Sequence, residues 1–537
     1  MKTQIHAQFK NHIVIFIISC AGIFLLPAAF ADDARTNCWL TTYSGQYARI
    51  YTNDAMKNAG TTLTTWSNGS QTQSLPAYCG IQEIYSSSNW IYVRSTGLGS
   101  YIMGPWQNGA FPNLPVNQKL LFRFPRTNSV PTTKSLTGAG QIGIFVDGVE
   151  MFNSWDAYYW NGSADVQSSG GTGYWNRDAY VNEGVTFDAG YAHQQQNGTY
   201  HYHADPIALR YELGDHVDFN AATKTYYEDT NTPTKHSPIL AWTADGFPVY
   251  GPYGYSTATN ANSGIRRMVS GYVIRNGQYG TSNLTANGRT TIPQWAVRIY
   301  NVTSNQSGPN VSTSYPLGRY MEDNDYLGDH GYVQGVDFDL DEYNGRWCVT
   351  PEFPNGTYAY FVAIDSNGVP VFPYNIGRAF YGNPTGGSVS SISETVVTNF
   401  LGNANLTSTL NAPGVNNGTV TLSWSAIEGG SYQVEATTNL GDLSGWTVLA
   451  SGLSPNQITG SYTNVTSLDK QFYRVGRTSV ATFDSAGTTL FNDGGYGIVS
   501  ISPTNANRGT TNTLTINLDS TVNPPPVMAP INSVSVG

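Results

Sequence analysis

Tyr200-His201-Tyr202-His203 is the stretch whose residue types and spacing could do chemistry. In an extended strand, residues two apart share a face, roughly 6.5–7 Å apart along the backbone. His201 and His203 then point one way, and Tyr200 and Tyr202 the other. Two imidazoles on one face can converge on a single metal ion, with Zn–N bonds of about 2.0–2.1 Å. Asn197-Gly198 ahead of the stretch is a turn signal, and Pro206 behind it ends ladder bonding, so the strand is short.

Five of the eight His (His193, His201, His203, His216 and His236) fall in one short stretch, with Glu183, Asp188 and Asp205 among them. The expected ligand set is His201, His203 and His236, with Asp188 or Asp205 as fourth ligand or as the group that orients a ligand. Nitrogen-rich ligation with a carboxylate suits a transition metal, Zn, Cu, Fe or Ni, without choosing between them. An open coordination position would acidify a bound water for hydrolysis, with Glu183 as a conceivable base. Two other readings stand beside this one: a buried hydrogen-bonded His cluster, and a metal-free acid–base site.

The elements that must position these side chains are strands. No amphipathic helix of more than three turns shows in the middle of the chain. An all-β class is expected, with a β-rich region over 36–135 and a central domain over 136–385. A linker over 386–409, rich in Ser and Gly at its start, follows. Three segments around Asp147-Gly148, Asp245-Gly246 and Asn367-Gly368 read as variants of one hairpin, hinting at internal pseudo-symmetry. From 410 to 478, alternating runs such as Val420, Leu422 and Trp424 resemble a fibronectin type III or related β-sandwich. Residues 495–537 look like the opening of a further immunoglobulin-like module, too short to close a sandwich.

Lys2 and Lys10, an apolar run over 13–30, and Ala29-Phe30-Ala31 have the layout of a secretory signal peptide cleaved after Ala31. A lipid-anchor site at Cys20 and an uncleaved anchor are the alternatives. Charged residues make up only 12% and the net charge is −10, with no Lys/Arg run, which argues against nucleic acid as a partner. An extracellular or cell-surface setting is expected instead, with glycans or surface proteins as partners and no integral membrane association after cleavage. In an oxidising compartment Cys38 and Cys79 could close a loop worth about 4 kcal/mol. Cys348 reads as a small buried hydrophobe.

A second acidic stretch, Asp337-Phe338-Asp339-Leu340-Asp341-Glu342, would place its Asp residues on one strand face; calcium there competes with a solvated edge strand. No nucleophile elbow, phosphate-binding Gly loop, His-Glu-x-x-His or dinucleotide fingerprint occurs.

The middle of the chain resembles the YHYH-domain family of secreted, mostly bacterial proteins. The resemblance rests on Gly198–His203, His236–Leu240, Asp245–Tyr255, Leu340–Arg346 and Thr350–Phe361, in that order over about 140–382. It implies a secreted setting but no established activity, and the family motif falls on His201, His203 and His236. The expectation is therefore a secreted all-β protein. It is either a metal-dependent hydrolase or a surface binding protein in which any metal is structural.

Overall fold

The computed structural model describes residues 33–487, except 69–70, 107–112, 169–172, 440–441, 443 and 469–470. The expected signal peptide (1–31) and the C-terminal module (495–537) lie outside the described residues. Strands dominate, and the longest described α-helix, Gln294–Tyr300, has seven residues. No described helix is long and apolar enough to cross a membrane.

At the centre lies an eight-stranded sheet. Its strands in chain order are β1 (Gly143–Phe145), β2 (Glu150–Met151), β3 (Ala192–Gln194), β4 (Tyr200–Tyr202), β5 (Ile239–Thr243), β6 (Pro248–Tyr250), β7 (Gly345–Cys348) and β8 (Thr357–Phe361). Across the sheet they run β3-β4-β2-β1-β5-β6-β8-β7. The order reads alike from both edges. In each half an outer antiparallel hairpin, β3/β4 or β7/β8, lies parallel against an Asp–Gly hairpin, β1/β2 or β5/β6. The two Asp–Gly hairpins meet antiparallel at β1 and β5. Their turns need glycine: Gly148 and Gly246 sit at φ 87° and 78°, where a Cβ is disfavoured. The third hairpin expected from sequence, at Asp365, makes the same kind of turn, but its own arms pair through a single bridge, Ile364 to Pro370, outside this sheet.

Two boundaries drawn from composition do not hold. Ile81–Ser86, Trp90–Ser95 and Leu120–Pro125 form an antiparallel sheet whose outer strands are Gly387–Ser388 and Val397–Leu401. The expected linker thus supplies both edges of the N-terminal sheet. Ladder bonds use the backbone alone, so a Ser/Gly-rich composition does not forbid them. Nor do the N-terminal and central regions keep separate cores: Trp39, Ile84, Phe122, Phe145, Trp242 and Phe361 belong to one buried cluster.

Beyond it, Gly414–Asn416, Thr419–Ser425 and Thr459–Val465 form one three-stranded sheet, and Thr447–Leu453, Gly430–Thr437 and Phe472–Val480 another. Val420, Leu422 and Trp424 are buried with Tyr432, Val434 and Val475, as the period-two alternation predicts. This module is fastened to the N-terminal region at Glu428, which accepts the Tyr47 N–H at 2.8 Å and pairs with Arg49.

Cys38, Cys79 and Cys348 are free thiols. The expected bridge is absent; Cys38 instead accepts the Trp242 indole N–H at 3.0 Å, and burial pushes its thiol up to about 12. The acidic stretch at 337–342 is not a regular strand. Asp339 pairs with Arg266 at 2.6 Å and Asp341 accepts the Tyr358 hydroxyl at 2.9 Å, so protein donors meet carboxylates for which calcium is one of two readings.

Candidate metal centre

The turn around Asn197-Gly198 folds β3 back on β4, and the register puts His193 directly opposite His201. Side chains across an antiparallel pair share a face, and His203 follows two positions on. Three imidazoles therefore meet on one face. The Nε2 atom of His201 lies 3.0 Å from that of His193 and 3.0 Å from that of His203. Their ligand atoms all lie within 4.8 Å of one another, and all three residues are buried.

The hydrogen bonds at the other ring nitrogens fix what these Nε2 atoms are. His201 Nδ1 is 3.1 Å from the Thr199 carbonyl and His203 Nδ1 is 2.6 Å from the Asn153 carbonyl. A carbonyl only accepts, so both Nδ1 atoms carry the proton. His193 Nδ1 lies 2.7 Å from Thr186 Oγ1, whose own proton goes to the Glu183 carbonyl at 2.6 Å. Thr186 therefore accepts, and His193 too is protonated at Nδ1. Each neutral ring then turns an Nε2 lone pair toward the other two. These assignments follow from the hydrogen-bond network.

Three converging lone pairs repel one another unless a positive charge lies between them. A proton is disfavoured there: burial, then the neighbouring imidazoles, hold His193 and His201 well below the usual imidazole range, and burial holds His203 down to about 4. A divalent ion fits better. Tetrahedral bonds of about 2.0–2.1 Å separate ligand nitrogens by about 3.3 Å, close to the spacing seen. Carbonyl and hydroxyl partners on the remote nitrogens are what orients metal-ligating His.

Glu183 ends helix α1 (Ala179–Glu183), which Asp178 caps by accepting the Val181 N–H at 3.0 Å. Its Oε2 lies 3.5 Å from His203 Nε2 and 3.7 Å from His193 Nε2, and its side chain is 21% exposed. Burial pushes its carboxyl up to about 8. Glu183 thus stands against the cluster and is more exposed than its three His.

The rest of the expected ligand set goes elsewhere. Asp188 lies on the opposite face, where it accepts the Tyr200 hydroxyl at 2.6 Å and the Gly104 N–H at 2.8 Å. Asp205, past the end of β4, is locked to Arg210 at 2.8 Å. His236 lies ahead of β5, beside the other half of the sheet, its Nδ1 bonded to the Ser237 carbonyl at 2.8 Å and its ring among Tyr250, Tyr255 and Phe361. The structure thus brings His201 and His203 together with His193, not with His236. The Asn197-Gly198 turn was the signal for this, since folding about it sets residue 193 across from 201.

Tyr200 and Tyr202 occupy the other face, as strand alternation requires. Tyr101 links their hydroxyls at 2.8 and 2.7 Å, and Tyr202 also reaches Asp147 at 3.1 Å.

Residues 121–372 match the protein-family model described as YHYH protein. The eight-stranded sheet and the His cluster lie inside that stretch. No curated protein and no solved structure matches the chain.

Proposed function

We propose that this YHYH-domain chain is an exported metalloprotein working through one transition-metal ion held by His193, His201 and His203. Three Nε2 lone pairs meeting in a buried space, each remote nitrogen tied to an acceptor, support it. The neutral nitrogen donors suit the Zn, Cu, Fe and Ni class. The chemistry proposed is hydrolysis: an ion held by His193, His201 and His203 would lower the pKa of a bound water. Glu183, whose Oε2 lies 3.5 Å from His203 Nε2, would take its proton. The apolar N-terminal run supports export. The two-sheet module over 414–480 would be a fibronectin-type spacer that holds the centre off a surface.

A second reading is favoured by burial. The three His are only 1–3% exposed, as suits a structural ion in a protein that binds extracellular glycans or surface partners. Two measurements separate these. Elemental analysis of the purified protein should find about one transition metal per chain, lost in His201→Ala/His203→Ala; no metal in the unmutated protein sinks both metal readings. In the cobalt-loaded protein, azide should alter the visible spectrum if a position is open to small ligands. An unchanged spectrum leaves the ion structural.

A further inference from the structure

We infer that the central sheet contains a second cation seat, the counterpart of the metal seat in the other half, which the chain fills with the guanidinium of Arg346. The inference deepens the metal reading and rests on it for the first seat.

The pairing of the two halves follows from register. Tyr202 on β4 pairs with Met151, and Tyr360 on β8 pairs with Val249. Met151 and Val249 stand at the same distance beyond their turn aspartates, Asp147 and Asp245. Tyr202 and Tyr360 are thus equivalent, and Tyr200-His201-Tyr202-His203 overlays Tyr358-Ala359-Tyr360-Phe361. Across the outer hairpins His193 faces His201, and Arg346 faces Ala359.

The likeness extends to bonds that a generic hairpin does not need. Tyr202 donates its hydroxyl to Asp147, and Tyr360 donates to Asp245 at 2.7 Å. Tyr200 donates to Asp188, and Tyr358 to Asp341. Before each outer strand the same loop recurs: Asp188 N–H bonds the Ala192 carbonyl at 2.9 Å, and Asp341 N–H bonds the Gly345 carbonyl at 2.8 Å. Each Asp Oδ1 also accepts the N–H of Ala192 or Gly345 in return. Tyr191 and Asn344, which precede those residues, share a left-handed φ of 68° and 69°. Two unrelated hairpins would not repeat this set.

What differs is the seat. Arg346 stands where His193 does, Ala359 where His201 does, and Phe361 where His203 does. Asp339 takes the place of Thr186: it lies 3.6 Å from Arg346, as Thr186 holds His193. Ala359 leaves room for the longer side chain, and the guanidinium carbon lies 5.4 Å from the Phe361 ring centroid. Arg346 is 5% exposed and donates to the Tyr255 carbonyl at 2.7 Å. A fixed cation thus occupies the half whose outer hairpin carries no imidazole. One half carries its charge permanently and the other must load it from outside.

The test exchanges the two seats in the full chain. Arg346→His/Ala359→His/Phe361→His should raise bound zinc from one equivalent to two after gel filtration. A folded variant that still binds one overturns the second seat and leaves the metal reading standing, whereas unmutated protein that binds none removes the metal reading itself. Should that variant not fold, the reverse exchange decides. Thr186→Asp/His193→Arg/His201→Ala/His203→Phe should fold, bind no zinc and melt at a temperature that chelator does not change. Its failure to fold overturns the equivalence of the seats.

Discussion

Thr186 shows how much one hydroxyl decides. By giving its proton to the Glu183 carbonyl it becomes an acceptor, and so sets which nitrogen of His193 faces the cluster. Thr186→Val keeps the shape and removes that acceptor from the His193 ring. Metal affinity should fall about 10- to 100-fold, as when other partners behind ligating His are lost. Competition against a chromophoric chelator measures it, and unchanged affinity would show that Thr186 does not orient the ring. At this scale the sequence was partly legible. His201 and His203 share a face by strand alternation alone. His193 required a hairpin register, and the Thr186 contact comes from a loop whose path no periodicity encodes. The density of His around 193–236 misled in one respect. His236 is close in sequence yet lies beside the other half of the sheet, where Phe361 and Arg346 surround it.

Among elements, the loop and outer hairpin that carry the ligands depend on Asp188. Its carboxylate accepts from Gly104, Gly190 and Ala192 backbone N–H groups and from Tyr200. Burial pushes this carboxyl up, while those donors pull it back. Asp188→Ala would orphan several buried donors at about 1–3 kcal/mol each, so a loss of roughly 3–5 kcal/mol is expected in urea denaturation. Asp341→Ala, the counterpart in the second half, should cost a similar amount; a loss under about 1 kcal/mol in both would show that the Tyr–Asp bonds do not hold the hairpins. Because the Tyr–Asp pairs recur in the half whose outer hairpin carries no His, they belong to the frame of the sheet and not to the metal chemistry. The Asp–Gly turns, the all-β class and the alternating C-terminal strands were legible because period two and turn chemistry are local. The linker was misjudged because pairing partners 300 residues away leave no local mark.

Over the whole molecule, titration sets a preferred pH range. Burial pushes Asp147, Asp178 and Asp341 up to about 7 and Glu212 up to about 8. These raised groups favour the fold fully below the unfolded carboxyl range, near 4, and lose that contribution as pH rises through 7–8. Burial holds His203 and His236 down to about 4. Their contribution is full above the unfolded value near 6.5 and is lost as pH falls through about 4. Four carboxyls outweigh two imidazoles, so the metal-free protein should lose melting temperature as pH rises from about 5 to 8. A melting temperature that keeps rising to pH 9 would contradict this balance.

Val397–Leu401 closes the N-terminal sheet against Ile81–Ser86. A chain synthesised from its first residue therefore makes the inner strands early and waits about 300 residues for the one that seals them. Until then Ile81–Ser86 offers a bare ladder of donors and acceptors to any passing strand, including that of a sister chain. Refolding yield should accordingly drop as protein concentration rises. A fragment cut at residue 385 should aggregate where the chain through 487 stays monodisperse in light scattering; equal behaviour of the two would show the late strand to be dispensable. The stretch that matches the family is then not a unit that can be lifted out whole, because its stability is borrowed from chain on either side.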